Sequence, residues 1–354
     1  PRPALSRRAL LAGTAAGAVG LSLAACGKGK KAGSQADSKT VTVVTHDSFH
    51  VSDDLMKAFT SETGYTLKIA TSGDAGALVN KLVLTKDAPL GDAVFGIDNT
   101  YATRALDQGV IDTSATVTLP KGAESYVVAD TPALAPIDVG DVCLNIDTGY
   151  FTGKGLTPPA TFEDLTKPEY KGLLVAINPT NSSPGMAWLL ATIGHFGAGS
   201  FADYWKQLAA GGARIAEDWS AAYETDFSGS GKGTYPIVVS YASSPSFTVS
   251  KDKSSSSTSA LLDTAFRQVE YAGVLKGAAN PEGGKAFVTW MLSKAVQEDI
   301  PGQMYMYPVL SDAALPEALT KFGPLSKAPV KVDPKEITAH REEWLNTWTE
   351  AVGK

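Results

Sequence analysis

Val41-Thr42-Val43-Val44-Thr45 is a run of β-branched residues, and its alternation with the helical segments after it narrows the fold more than any other feature. Such a run fits a pleated strand. Ser52-Asp53-Asp54 then caps a helix that carries Leu55, Met56 and Phe59 at helical spacing. A second strand is predicted over Thr66–Ala70. A second helix over Asp74–Thr85 puts Leu78, Val79, Leu82 and Val83 on one face. Asp92–Gly96 reads as a third strand. Strands joined by helices of this length pair in parallel, because a long crossover must carry the chain back to the same sheet edge. The alternation predicts a parallel α/β lobe.

Further along, Ala133–Ile146 is a long extended stretch, and Leu173–Ile177 and Ile237–Tyr241 read as buried strands. Helices are predicted over Met186–His195, Phe201–Ala210, Pro281–Glu298 and Glu336–Val352. Trp344 and Trp348 stand one helical turn apart and are expected in the core. Lys251–Ala260, KDKSSSSTSA, is low in complexity. A surface hairpin loop explains it better than a domain linker, because α/β signals resume on both sides. No internal repeat is visible. The chain has 354 residues, 44% of them hydrophobic. That is enough for two cored lobes.

The N-terminus has a different character. Arg7 and Arg8 precede an apolar, small-residue stretch that runs to Ala25 with no charge. This is the pattern of a secretion signal, and the stretch is short for a bilayer span. Ser6-Arg7-Arg8 followed by Ala9-Leu10-Leu11 looks like a twin-arginine export motif without its usual Phe. Leu23-Ala24-Ala25-Cys26 resembles a bacterial lipoprotein cleavage site, which implies removal of residues 1–25 and lipid on Cys26. Residues 26–39 then form a lipidated polar tether, too rich in Gly, Ser and Lys to fold. Lipid would hold the protein on the outer face of the cell membrane. Loss of residues 1–25 takes away Arg2, Arg7 and Arg8 and no acid, which moves the formal charge from −6 to −9. An acidic surface argues against nucleic acid and suits cationic ligands. Once Cys26 carries lipid, Cys143 stands alone and no intramolecular disulfide is available. His46, His50, His195 and His340 show no metal-ligand spacing.

Ligands of open α/β sheets bind beyond the carboxyl ends of strands. Here those ends carry Thr45-His46-Asp47-Ser48, Ser72-Gly73-Asp74 and Gly96-Ile97-Asp98-Asn99. Each acid taken singly is explained by helix capping. Asp47, Asp74 and Asp98, if they converge at one cleft edge, would suit a cation site. Asn181-Ser182-Ser183-Pro184-Gly185 opens a helix, with Ser182 or Ser183 as cap and Pro184 in the first turn. Locally this is an ordinary capped helix, although such a start also suits a phosphate. Trp219 and Tyr223 are four residues apart, Tyr241 ends a strand, and Tyr305 and Tyr307 flank Met306. Aromatics at such spacing are usually core. These segments, however, are rich in Ser, Gly and Pro, which suits a cleft rim where ring faces attract flat cations. Gly229-Ser230-Gly231-Lys232-Gly233-Thr234 looks like a P-loop fragment. It lacks the first glycine and the final Ser or Thr and precedes a strand, so it reads as a turn.

The blocks THDSF, GD before Leu-Val-Asn-Lys-Leu, GIDN, TNSSPG, WSAAY, VVSYASSP and IPGQMYMYPV occur in that order from Val41 to the C-terminus. In this the chain resembles the thiamine-binding proteins of bacterial ABC importers. The resemblance implies an α/β, two-lobed, type II periplasmic-binding-protein-like fold with its ligand cleft between lobes. Lobe 1 would comprise residues 40–137 plus 242–307, and lobe 2 residues 138–241 plus 308–354. It implies thiamine or its phosphate esters as ligand and no cofactor. Partners would be an ABC permease and its ATPase, with the chain acting as a monomer and as a non-enzyme. Trp219 and Tyr241 would sandwich the pyrimidine, and Asp74 would meet the exocyclic amine or the positive charge. Ser182, Ser183 and Gly185 would receive the tail, and Tyr223 and Tyr305 would complete the wall. His46, Asp47 and Asp98 join them at the strand ends. His46 stands where those proteins carry Tyr, and Tyr305 where they carry Trp.

Other readings compete. Ferric iron binders of this fold present adjacent tyrosines, whereas Tyr305 and Tyr307 alternate with Met306 between them. A polyamine would use the acids and aromatics but leave the TNSSPG helix start without an anion. A thiamine-degrading enzyme would need a nucleophilic cysteine. Cys143 is the candidate, and it lies in an apolar strand where a small buried thiol is expected.

Overall fold

The computed structural model describes residues 39–230 and 233–353. The expected signal segment, the Cys26 lipid site and most of the tether lie outside the described residues, as do Gly231 and Lys232 of the P-loop-like turn. Three strands and three helices alternate first: β1 (Thr40–Thr45), α1 (Asp53–Thr63), β2 (Thr66–Thr71), α2 (Ala75–Leu84), β3 (Ala93–Asp98) and α3 (Ala102–Asp107). β1 pairs in parallel with β2 from Thr40↔Thr66 to Thr45↔Thr71, and with β3 from Val43↔Ala93. The alternation thus gives the parallel strand pairing expected of it. Val41, Val43 and Val44 are fully buried, as are Phe59 and Leu78 of the helices beside them.

The chain then runs through β4 (Leu134–Asp147), α4 (Thr148–Lys154), β5 (Leu174–Ile177), α5 (Ser183–Phe196), α6 (Phe201–Ala210), β6 (Arg214–Ala216), β7 (Ile237–Tyr241) and β8 (Thr258–Val274). It ends in α7 (Pro281–Met291), α8 (Lys294–Gln303), β9 (Tyr307–Pro308), α9 (Glu317–Phe322) and α10 (Pro334–Val352). Strand order in the sheet is β2-β1-β3-β8-β4-β7-β5-β6, with β9 on β4. The long strands β4 and β8 run antiparallel from Leu134↔Gly273 to Asp147↔Thr258. β8 pairs with β3 on its other side, and β4 pairs with β7 on its own. Bulges in the β4–β8 pairing fall between Pro136 and Asp138 and between Val142 and Leu144. A bulge bends and twists a strand, so the central pair turns where it passes from one half of the sheet to the other.

Two expectations need correction. The single helix expected over Pro281–Glu298 is two helices. Ser293 adopts an extended conformation between α7 and α8. The buried Gln297 side chain donates to the carbonyls of Met291 and Ile137, so the break is stitched by a side chain. The 17-residue β8 was not anticipated at all. Its middle carries Thr264, Gln268 and Glu270, all buried, so polar residues face inward and the apolar alternation of a half-exposed strand is lost. The serine-rich segment before it is the expected hairpin loop, closed by Ser250 N–H on Ser255 O and a bridge from Val249 to Ser256. Trp344 and Trp348 are buried as expected, and Trp348 meets the Trp205 ring edge-on at 5.7 Å.

Candidate functional site

A cavity of about 360 Å³ opens at the carboxyl ends of β1 and β2, between the two halves of the sheet. Of the residues expected there, His46, Asp47, Asp74, Ser183, Trp219, Tyr241 and Tyr305 line it. Ser182, Gly185, Tyr223 and Asp98 do not.

The aromatic wall is built locally. Ala221–Asp226 forms a π-helical turn, a wide turn found mostly at functional sites. Asp218 caps it by accepting from the Ala221 N–H at 2.7 Å. The turn stacks the Trp219 and Tyr223 rings, with centroids 5.1 Å apart and planes 10° apart. Trp219 faces the cavity, and Tyr223, expected in the wall, lies buried behind it. Burial pushes the Tyr223 phenol up to about 12, so it stays protonated. Trp219 Nε1–H donates to Ser240 Oγ at 3.0 Å, which pins the indole to the end of β7. Tyr241, one residue on, donates its hydroxyl to Gln268 Oε1 at 3.3 Å. Tyr305 holds a positive φ of 64°, a conformation that non-glycine residues adopt under constraint, often at binding sites. Its ring packs on Phe247.

The acid wall is built from distant segments. Asp74 is the N-cap of α2, and its Oδ1 accepts from Ala75 N at 2.6 Å and from Ser183 N at 3.2 Å. Burial raises its pKa, although hydrogen bonds from Ser182 and Ser183 work the other way. His46 rests against Gly96, where a Cβ would stand 2.0 Å from the imidazole Cδ2. Its Nδ1 accepts from Ser48 N–H at 3.1 Å, and its Nε2 lies 3.3 Å from Glu270 Oε1. Burial opposes protonation of this ring, but Glu270, with Asp74 and Asp47, holds its pKa above the ordinary value. Sequence reasoning missed Glu270, which lines the cavity from β8. Its strand was unread, and nothing local marks it. Glu224 was missed as well, although it stands beside Tyr223 on the π-helical turn.

The start of α5 is already filled. Ser183 N–H donates to Asp74, Pro184 has no N–H, Gly185 N–H donates to Ser182 Oγ, and Met186 N–H to Ser182 O. Ser182 and Gly185 are therefore buried behind the cavity, with these groups engaged within the protein. Gly185 is required there because a Cβ would meet Asn178 O at 2.8 Å. Asp98 is also buried. It accepts from Thr100 N, Tyr101 N and the Ser183 hydroxyl. The two halves of the sheet touch directly at this edge: Ala77 N–H donates to Asn181 O at 3.2 Å, and Tyr101 Oη–H to Pro179 O at 3.1 Å.

Tyr307 turns away from the cavity and donates to Gly323 O at 2.8 Å. No group of three or more His, Cys, Asp or Glu is placed to hold a metal among the described residues. Cys143 is buried against Ala242 and Ala265, away from the cavity, and burial raises its thiol pKa. A thiol kept protonated is a poor nucleophile.

A protein-family model described as bacterial extracellular solute-binding protein matches residues 92–325. A thiamine-binding periplasmic protein of Salmonella typhimurium is 27% identical over 326 residues, covering 89% of this chain and 94% of that protein. A solved periplasmic thiamin binding protein superposes with a TM-score of 0.76 at 25% identity, over 89% of this chain and 96% of that one. Iron-bound HitA from Pseudomonas aeruginosa superposes with a TM-score of 0.69 at 21% identity, over 88% of this chain and 99% of its own, which is a likeness of fold. The structural neighbours are type II periplasmic binding proteins.

Proposed function

This chain belongs to the bacterial extracellular solute-binding protein family, and we propose that the solute it captures is thiamine, held in the cleft for hand-over to an ABC permease and its ATPase. One observation carries the reading. A pinned aromatic plate, Trp219 backed by Tyr223, faces a wall of acids, Asp74 and Glu270, across a single cavity. Thiamine joins a flat aminopyrimidine to a permanently cationic thiazolium, and each face meets one of these needs. The relatives named for thiamine binding support the choice.

In this reading Trp219 and Tyr241 embrace the pyrimidine. Asp74, whose Oδ1 already serves two N–H groups, offers Oδ2 to the exocyclic amine. His46, Asp47, Ser183 and Tyr305 close the rim. Phosphate esters bind less well than thiamine, because Asp74 occupies the anion position at the start of α5. Residues 40–137 with 242–307 form one lobe and 138–241 with 308–354 the other, and they close about the bulged β4–β8 pair. Lipid on Cys26 tethers the monomer to the outer face of the membrane. The chain makes and breaks no bond.

Calorimetric titration with thiamine, its mono- and diphosphate, spermidine and ferric citrate tests the proposal. Tight one-to-one binding of thiamine, weakened in Asp74→Ala, is the expected result. Heat with spermidine or iron and none with thiamine would overturn it.

A further inference from the structure

Glu270 sits in the middle of a row. On β3, Asp98 is its direct partner across the strand pair. On β4, Asp138 is its direct partner on the other side. Residues directly opposite in a sheet point to the same face, so three carboxyls lie side by side at one level of the sheet. All three are buried: Asp98 and Asp138 are fully inaccessible and Glu270 is 6% exposed. Like charges set directly opposite repel, and burial removes the water that would screen them.

The three members of this row differ. Asp98 is well supplied with donors from Thr100, Tyr101 and Ser183. The Arg341 guanidinium lies near it, 4.0 Å over the Tyr101 ring. Glu270 reaches the cavity and has His46 Nε2 at 3.3 Å. Asp138 has no donor from a backbone, hydroxyl or amide group on either oxygen among the described residues, and its polar neighbour is the Glu270 carboxyl. A buried carboxylate without a donor is costly. Two adjacent buried carboxyls settle by sharing a proton. Burial, with the charge of Glu270 beside it, accordingly raises the Asp138 pKa well above the ordinary carboxylate range.

We infer that Glu270 is the counter-charge that selects a cationic ligand in this cleft, and that Asp138 behind it holds a proton that leaves when the cation enters. The inference rests on the thiamine reading for its probe. A positive ring nitrogen placed beside Glu270 supplies the compensation that the shared proton supplies in the empty cleft. The proton then passes to solvent. The other groups facing the row act in the same sense. His46 loses positive charge as pH rises, and its Nδ1 must be bare to accept from Ser48. Asp74 and Asp47 add negative charge near His46, and Tyr241 stays a neutral phenol because burial raises its pKa. Cation binding therefore strengthens with rising pH.

The test compares thiamine with its neutral thiophene analogue, in which carbon replaces the charged ring nitrogen. Both are titrated calorimetrically at pH 6 and pH 8, in two buffers of different ionisation enthalpy. Wild-type protein is expected to prefer thiamine by about 100-fold, as a desolvated charge pair allows. In Glu270→Gln that preference falls below about tenfold, while the melting temperature stays at or above that of wild type, because a repelled charge has been removed. In Asp138→Asn the proton release read from the two buffers falls, and affinity changes less between pH 6 and pH 8. Glu270→Gln that keeps the preference, or loses both ligands equally, overturns the counter-charge role. Unchanged proton release in Asp138→Asn overturns the proton role. Wild-type protein that takes neither ligand overturns the thiamine reading, and this inference with it.

Discussion

The two walls of the cleft are made by different means. The aromatic wall is local: Trp219 and Tyr223 are four residues apart on one turn, and Ser240 pins the indole from the neighbouring strand. The acid wall is assembled by topology. Asp74 comes from a helix cap, His46 from the end of β1, and Glu270 from β8, far along the chain. The two walls divide the labour. A stacked plate accepts any flat ring, whereas a row of buried acids asks for positive charge. In the proposed site the first would set shape and the second sign.

Trp219 separates the two walls most directly. Trp219→Ala removes the cavity-facing ring and leaves Tyr223 without its partner. We expect thiamine affinity to fall by about 100-fold, as for a buried aromatic anchor, with the thermal midpoint little changed. The preference for thiamine over its neutral analogue should survive, because the acids are untouched. A variant that loses the preference along with the affinity would show that the two walls do not act separately.

Where the walls meet, Gly76 decides how closely they approach. A Cβ there would stand 2.7 Å from both Asn181 O and the Tyr101 hydroxyl. Gly76→Ala should prise the halves apart at this edge and weaken thiamine binding by about tenfold, or about 1.4 kcal/mol. Small-angle scattering should show a larger radius of gyration without ligand. Tenfold weaker binding with no change of shape would move the effect from closure to the helix itself.

The acid wall has a signature of its own in stability. Asp98 is raised from 3.8 to about 6 by burial, against the pull of the Ser183 and Thr100 hydrogen bonds. Its native state favours the protonated form, so stability is fully present below the ordinary carboxylate value and is lost as pH rises through about 6. His46, held above 6.5 because Glu270 and the nearby aspartates outweigh burial, loses its contribution as pH rises through its native value. The signs agree. The whole linkage at Asp98 is on the order of 3 kcal/mol, and about half of it falls between pH 5 and pH 8. Ligand-free protein should therefore melt about 2 °C lower at pH 8 than at pH 5. Saturating thiamine should shrink that difference. Scanning calorimetry across this range checks it, and a midpoint that rises with pH would contradict the account.

Legibility in the sequence followed the same divide. The parallel strands β1 to β3, the capped start of α5 and the Trp219–Tyr223 pair rest on short-range spacing, and the sequence showed them. So did Asp74, because a cap residue announces the helix it begins. Glu270 left no such mark. Its importance comes from standing between Asp98 and Asp138, residues far away in the chain that only the register of three strands brings together. β8 itself was hidden for the same reason: its inward polar residues serve the row and the cleft, and so spoil the pattern by which strands are read. Tyr223 shows the opposite limit. Spacing placed it beside Trp219, but could not say which ring faces the cavity.

Cys143 belongs to neither wall, and it gives the smallest effect. It lies on β4, paired with Ser240 and packed against Ala242 and Ala265. Asn145 Nδ2 stands 4.0 Å from the sulfur. Burial first, and the nearby Asp141 charge second, keep the thiol protonated. A nucleophile would need the reverse: a depressed pKa, access to the cavity and a base beside it. Cys143→Ala should change thiamine affinity by less than about twofold, and should cost about 1 kcal/mol of stability through the small void it leaves. A thiol reagent should not label the folded protein. Labelling that thiamine blocks would put the sulfur in the cleft after all, and would make the chain a candidate for chemistry as well as capture.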